Sequence, residues 1–498
     1  MGLPKLLGYN ADELLSVPVL GASKLMMNKN LDQNQSPRRE LLTRTTELAN
    51  EFLDGVADRP VARRVEFEKL VSEISGDGIP ADGHDPIRII EQLARLADGA
   101  VVATAGPRYF GFVVGGSWPV ALAADWLTAA WDQNGAFYAH SPLAAAAEQT
   151  AGDWLIDLFG LARETSVGFV TGGTMANFTG LAAGRHALFA KLGWDVEKRG
   201  LMGAPQITVV TSDESHVSAL ACLQMLGLGS EQVVKVPADE QGRMKSDQLR
   251  SILAGIQSPV LVCAQAGNVN TGAFDPIAEI VEAISRRPSW LHVDGAFGLW
   301  AAAAPGYQSL TQGIELADSV SVDCHKWLNV PYDCGLVFVR DAAAHRAAMS
   351  LHASYYITAD RAERDNCDWV PEASRRARGF TVYAALRFLG RKGIAELVDR
   401  CCRLARRMAE RLASDPSVTV LNEVVLNQVL VRFSDSTGQH SDEFTAEVIR
   451  RVQEDGTCWL GGTTWHGMHA MRISISNWST TEEDIDISAE AILRCARG

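Results

Sequence analysis

From about residue 166 onward, short apolar runs alternate with helical stretches along the chain: VGFVTGG, ITVVTS, VVKVP, PVLVCAQ, SWLHVDG, SVSVDCH and GLVFVR. Most of these runs are continuously apolar rather than alternating, the pattern of strands buried on both faces, and the stretches between them supply crossovers. An α/β domain with a mostly parallel central sheet is therefore predicted over residues 110–345. Upstream, residues 41–96 have a helical period broken at GDGIPADGHDP, and 117–130 and 141–158 read as Ala-rich helices, the second opened by Ser141 and a proline. Residues 1–40 have no clear period and read as an arm, which with the helices up to residue 109 forms an N-terminal segment. After Gly379, long helices precede SVTVLNEV, NQVLVRF and MRISIS, so residues 346–498 read as a loop and a smaller C-terminal α+β domain.

Composition narrows the classes of function. Hydrophobic residues make up 47% of the 498 and charged ones 21%, a globular profile. The net charge of −14 argues against nucleic acid as a partner. Nine cysteines without paired spacing read as reduced thiols, and the chain has neither a signal-peptide core nor an apolar stretch long enough for a bilayer. A cytoplasmic location without membrane contact is expected. HExxH, CxxC and GxSxG are absent, so no metal site and no serine nucleophile is predicted.

Four places carry possible chemistry. In GFVTGGTMANFTG a Gly-rich turn opens a helix whose exposed N–H groups suit a phosphate; Gly172 and Gly173 let an anion approach closely and Thr174 adds a hydroxyl, while the plainer alternative is a tight strand-to-helix turn. Asp294, in SWLHVDG, stands where a strand runs out, either capping the next helix or facing a cationic ring nitrogen. His216 lies on the turn after another strand. Lys326 follows Asp294 by one further strand, and on that stretch alone a strand-end lysine reaching solvent is the simpler reading. Asp323, an odd number of positions away, is expected to face the other side of an extended strand and to leave Lys326 without a partner. Taken in order, a phosphate turn, a histidine, a strand-end acid and a lysine are the parts that hold pyridoxal 5′-phosphate.

TGGTMAN, ESH, NTGAFDP, HVDGAFG, DCHKWLN, SRRARG and MRISISNW resemble the group II pyridoxal-phosphate decarboxylases, the family of aromatic-L-amino-acid and glutamate decarboxylases. The resemblance runs from about residue 80 to the end. It implies the fold type I, aspartate-aminotransferase-like architecture and a homodimer with shared active sites. It makes Lys326 the Schiff-base lysine and Asp294 the ring-nitrogen partner, with Ala296 under the ring and His216 above it. Gly173, Thr174, Asp323 and His325 match positions around the phosphate, Asn268 a position near the ring oxygen, and Gly390 a position shared between subunits. Phe112, Val114 and Phe137 match the substrate pocket, Phe137 reaching in from the partner, while Phe110 and Trp118 are either pocket or core.

The resemblance further implies decarboxylation of an L-amino acid with an aromatic or other apolar side chain to the amine. Relatives carry a proton-donating tyrosine on a loop before the basic motif; counting back from Arg375 and Arg376 puts Asn366 there, with Tyr355 and Tyr356 further upstream. An amide is a poor acid, so oxidative deamination to an aldehyde is the first alternative. A non-catalytic, cofactor-binding dimer is the second.

Overall fold

The computed structural model describes residues 36–63, 65–76, 78–350, 363–435 and 437–498. Tyr355, Tyr356 and most of the expected arm lie outside the described residues. The chain divides into two compact units, one of Met1–Asp54 with Asp77–Asp98 and one of Gly55–Gly76 with Gly99–Gly498. In the smaller unit, Arg44 on the helix Pro37–Asp54 donates to Glu91 at 2.8 Å, a half-exposed pair that contributes little to stability.

The larger unit is built on a seven-stranded sheet. Its strands are β1 (Ser166–Val170), β2 (Thr208–Ser212), β3 (Val234–Val236), β4 (Val260–Gln265), β5 (Ser289–Asp294), β6 (Ser319–Asp323) and β7 (Gly335–Val339), in spatial order β1-β7-β6-β5-β4-β2-β3. All neighbours are parallel except where β7 meets β1 and β6. The continuous apolar runs are explained by burial: every residue of β1, β4, β6 and β7 is buried. The register sets Gln265 beside Asp294 and Asp294 beside Ser321, so the carboxyl ends of β4, β5 and β6 share one edge. The helix Gly173–Lys191 crosses behind β5, β6 and β7, and its alanines and glycines allow the close approach.

A second sheet is antiparallel, in order β10-β11-β9-β8, with β8 (Val418–Val420), β9 (Gln428–Phe433), β10 (Gly461–Trp465) and β11 (Met468–Ser474). The helix Asp442–Asp455 packs on β11, and Glu482–Arg497 packs on the long helix Gly379–Ala413. The seven runs in the larger domain and the three after Gly379 all contain strands, and Ser141 caps its helix by accepting from Ala144 N at 3.3 Å. β10 was not anticipated. GGTTW has no apolar period, and its strand exists because β11 pairs with it from Gly461↔Arg472 to Trp465↔Met468.

Candidate active site

At the carboxyl edge of the large sheet, the loops after β1, β2, β4, β5 and β6 enclose a cleft of about 320 Å³. Open parallel sheets bind ligands at this edge because every loop there leaves the sheet in the same direction. Gly173, Thr174, His216, Asp294, Ala296, Asp323, His325 and Lys326 all line it. The structure thus brings eight expected site residues together from segments up to about 150 positions apart (as a chain of that length would allow only by folding).

One expectation needs correction. Lys326 has a partner: its Nζ lies 3.1 Å from Asp323 Oδ2. The alternation argument assumed an extended backbone, but β6 ends at Asp323 and the chain turns over residues 324–327, returning the lysine to the acid's side. His325 Nε2 is 3.6 Å from the other oxygen, Oδ1, which is buried without a hydrogen bond among the described residues. Burial holds the His325 pKa below the ordinary histidine value, with Asp323 opposing that shift.

Opposite this turn, the helix Gly173–Lys191 points its N-terminus into the cleft. Side chains at the turn would obstruct that approach: a Cβ on Gly172 would meet His325 Cε1 at 3.0 Å, and one on Gly173 would meet Asp323 Oδ2 at 2.9 Å. Free N–H groups at the start of a helix of this length attract a phosphate. Asp294 accepts from Asn177 Nδ2 at 2.8 Å and from Ala296 N at 3.1 Å, which satisfies a carboxylate with two N–H donors. His216 caps the helix Val217–Met225, its Nδ1 accepting from Ser218 N at 3.3 Å and lying 2.7 Å from Ser218 Oγ. The His216 ring keeps solvent contact at the rim, while crowding by protein lowers its pKa; Asp294 opposes the shift, and Lys326 and Arg472 add to it. An amine, an anion-binding turn, a fixed carboxylate and a rim imidazole match the groups of pyridoxal phosphate, and the donor set fits that cofactor.

Other expected residues stand elsewhere in this chain. Asn268 is buried and organises a turn, its Oδ1 accepting from Asn270 N and Thr271 N at 2.9 and 3.2 Å; its neighbours Gly267 and Val269 line the cleft instead. Gly390 breaks the helix Gly379–Ala413 with a φ of 58° and faces a separate hollow with Trp154 and Arg387. Val114 packs on Val61 and Tyr109, and Phe137 lies on the loop between the helices Pro119–Trp131 and Pro142–Leu158. Phe110 and Trp118 belong to the core, Trp118 stacking on Trp478 with centroids 4.6 Å apart.

Asn366 does not reach the cleft. It is 1% exposed on a short 3₁₀ helix, donating to Gly135 O and accepting from Arg364 Nε, both at 3.0 Å. Arg375 donates to the same carbonyl at 3.2 Å and pairs with Glu148 at 2.6 Å. Both ends of its amide are engaged in this buried cluster, and Asn366 is not among the described residues that line this chain's cleft. Counting along the chain could not reveal that.

Beside the Lys326 turn, Tyr332, Tyr109, Trp459 and Arg472 were not anticipated, whereas Phe112 was. Tyr332 stacks on His325 with centroids 4.2 Å apart. Phe112 is 61% exposed and leans on Trp459 at 5.5 Å, and Tyr109 stacks on the same indole at 5.0 Å. Trp118 N donates to Asn329 O at 2.9 Å, which ties the segment carrying Phe112 to the Lys326 turn. Phe112 and Val113 both have positive φ, 52° and 60°, a costly backbone for residues with side chains and one that turns Phe112 outward. Arg472 on β11 is half-buried, with no ion pair or side-chain hydrogen bond among the described residues, and burial lowers its pKa. Apart from the Tyr332–His325 stack, these contacts join segments more than a hundred residues apart, so no sequence period carries them.

The pyridoxal-dependent decarboxylase conserved domain matches residues 76–434. An aromatic-L-amino-acid decarboxylase from Bacillus atrophaeus is 26% identical over 93% of this chain and 96% of its own. An acidic amino acid decarboxylase from Bos taurus is 30% identical over 78% of each chain. The fold is shared with Oryza sativa TDC, solved with PLP and tryptamine, at a TM-score of 0.86 over 94% of this chain and 99% of that one, with 21% identity. With its lysine, acid and phosphate turn gathered at one sheet edge, the chain belongs to the pyridoxal-dependent decarboxylase family and is a carboxy-lyase that works with pyridoxal phosphate.

Proposed function

We propose that the enzyme decarboxylates an L-amino acid with an aromatic or other apolar side chain to the corresponding amine. The observation that carries this reading is the aromatic surface of Tyr109, Phe112, Trp459 and Tyr332 around the Lys326 turn. Lys326 would hold the cofactor covalently, the Gly172–Thr174 turn its phosphate, and Asp294 its ring nitrogen. Bound there, pyridoxal phosphate supplies a sink for the electron pair left when carbon dioxide departs. Asp294 keeps a proton at the ring nitrogen because its own oxygens already accept from Asn177 and Ala296. His216 covers the cleft from the rim, and the aromatic side chains exclude water from the substrate's carboxylate. With Asn366 buried away from this chain's cleft, His216, Tyr355 or Tyr356 is left as the proton donor, and the aldehyde route stays the alternative. We propose a cytoplasmic location, which nine free cysteines, eight of them buried, support; none of the described helices is long and apolar enough to cross a membrane.

A second reading, an acidic substrate, is favoured by Arg472, whose guanidinium has no carboxylate partner among the described residues. The test is to incubate the loaded enzyme with phenylalanine, tyrosine, tryptophan, glutamate and aspartate and to assay carbon dioxide, amine, aldehyde and peroxide together. Amine in equal amount to carbon dioxide from an aromatic substrate is expected, without peroxide. Release from the acidic substrates alone, abolished by Arg472→Leu, would establish the second reading in its place.

The chain is also proposed to act as a homodimer. Leu127, Leu143 and Phe388 are 49%, 60% and 59% exposed on the helices Pro119–Trp131, Pro142–Leu158 and Gly379–Ala413, and Trp131 and Tyr383 extend the same apolar surface. Phe137 lies on the loop joining two of these helices, as a residue serving the partner's site would. Mixing Lys326→Ala with Phe137→Ala protein, each inactive alone, is expected to restore part of the activity; a fully active monomer at micromolar concentration would refute the dimer.

A further inference from the structure

Behind Asp294 lies a run of buried polar groups that the reaction scheme does not use. Trp290 Nε1 donates to Ser319 Oγ at 2.9 Å, and Ser319 Oγ lies 2.8 Å from His292 Nδ1. His292 Nε2 lies 2.9 Å from Asn177 Oδ1, and Asn177 Nδ2 donates to Asp294 Oδ2 at 2.8 Å. Ser321 Oγ donates to the same Asn177 Oδ1 at 2.6 Å. Asn177, His292 and Ser321 have no exposed surface, and Ser319 has 1%. The helix makes room for this run at Gly180, where a Cβ would come within 2.7 Å of His292 Nδ1.

The donors and acceptors favour one direction: the Ser319 hydroxyl has two acceptors in reach, His292 Nδ1 at 2.8 Å and Gly180 O at 3.4 Å, and the shorter contact is the one to the ring. A carboxylate can only accept, so Asn177 must turn its NH₂ to Asp294 and its oxygen to His292 and Ser321. His292 must then carry its hydrogen on Nε2, which leaves Nδ1 to accept from the Ser319 hydroxyl. The Ser319 oxygen in turn accepts from the Trp290 indole, which can only donate. Burial drives the His292 pKa down to about 4, in keeping with a neutral ring that accepts at Nδ1.

Resting on the reading of Asp294 as the ring-nitrogen partner, we propose that Asn177 and His292 are positioning residues: a one-way chain of hydrogen bonds from Trp290 fixes the Asn177 amide and so holds the Asp294 carboxylate toward the cleft. Simple satisfaction of buried polar groups would need no particular direction and no dependence on Asp294. Directed bonds to a charged acceptor are the stronger kind, so losing this one matters at the cofactor.

The experiment measures cofactor affinity by fluorescence quenching and the absorbance of the bound cofactor, in single variants and in the Asp294→Asn background. Asn177→Ala and His292→Asn are expected to weaken binding about tenfold and to shift the band. His292→Gln, which keeps a donor near the Nε2 position, is expected to stay within about threefold of the unaltered protein. In the Asp294→Asn background, Asn177→Ala is expected to cost nothing further; an equal cost in both backgrounds overturns the proposal. Asp294→Asn leaving affinity and spectrum unchanged overturns the reading of Asp294 itself, and the proposal with it. Because truncating a buried amide can unfold the chain, the histidine tautomer is read by ¹⁵N NMR on the unaltered protein without cofactor. A neutral ring protonated at Nε2 is expected for His292, and protonation at Nδ1 overturns the proposal by itself.

Discussion

Lys326→Ala is expected to lower turnover about a thousandfold or more, while the protein keeps its fold and part of its affinity for pyridoxal phosphate. The lysine is the amine at the turn after β6, 3.1 Å from Asp323 and 20% exposed in its side chain, within the cleft that the helix Gly173–Lys191 faces. Removing it deletes the covalent anchor but leaves the N–H groups at Gly173 and Thr174, which is why affinity survives in part. Borohydride reduction of the unaltered enzyme followed by peptide mapping should find the cofactor on the peptide containing Lys326. A tag on another lysine, or an alanine variant with more than a tenth of the original turnover, would remove Lys326 from this role.

Asp294→Asn is expected to be the second most damaging change, lowering turnover by about two to three orders of magnitude with the cofactor still attached. Two N–H donors, Asn177 Nδ2 and Ala296 N, meet the carboxylate oxygens at 2.8 and 3.1 Å. An asparagine there cannot serve both: its own NH₂ either opposes that of Asn177 or turns toward Ala296, and the negative charge at the ring nitrogen is lost in each case. Asp294→Glu keeps the charge but lengthens the side chain in a site with little slack, so a partial loss is expected. The measurement is kcat beside the visible absorbance of the bound cofactor; an asparagine variant with unchanged absorbance and turnover would exclude the acid from the chemistry.

The two variants fail differently because the residues act at different points. In the proposed reaction Lys326 would provide the attachment, so its loss is read in the covalent adduct, and Asp294 would govern a proton, so its loss is read in the spectrum and in turnover while the adduct remains. On the same proposal, His216 and the aromatic side chains by the Lys326 turn would shape what enters the cleft, and changes there belong in the choice of substrate.

Much of this protein was legible in the order of its residues. Strands buried on both faces are largely apolar, so VLVCAQ and SWLHVD announced themselves, with Asp294 ending the second and Lys326 just past SVSVD, where a parallel sheet presents its loops. Local alternation failed at Lys326 because the backbone turns immediately after Asp323, and a period of two holds only while the strand stays extended. Counting could not show that Asn366 is buried, because position along a loop says nothing about burial; Arg364 and the Gly135 carbonyl engage its amide. β10 needed its partner β11 to be a strand at all. The bonds from His292 to Asn177 and from Asn177 to Asp294 each span more than a hundred residues, and Arg472 reaches the electrostatic field of His216 from another sheet. Periodicity records which face a residue turns to its own element. Which distant side chain meets it there is decided only when the packed core fixes the elements against one another, because directional hydrogen bonds form only at the distances that packing sets.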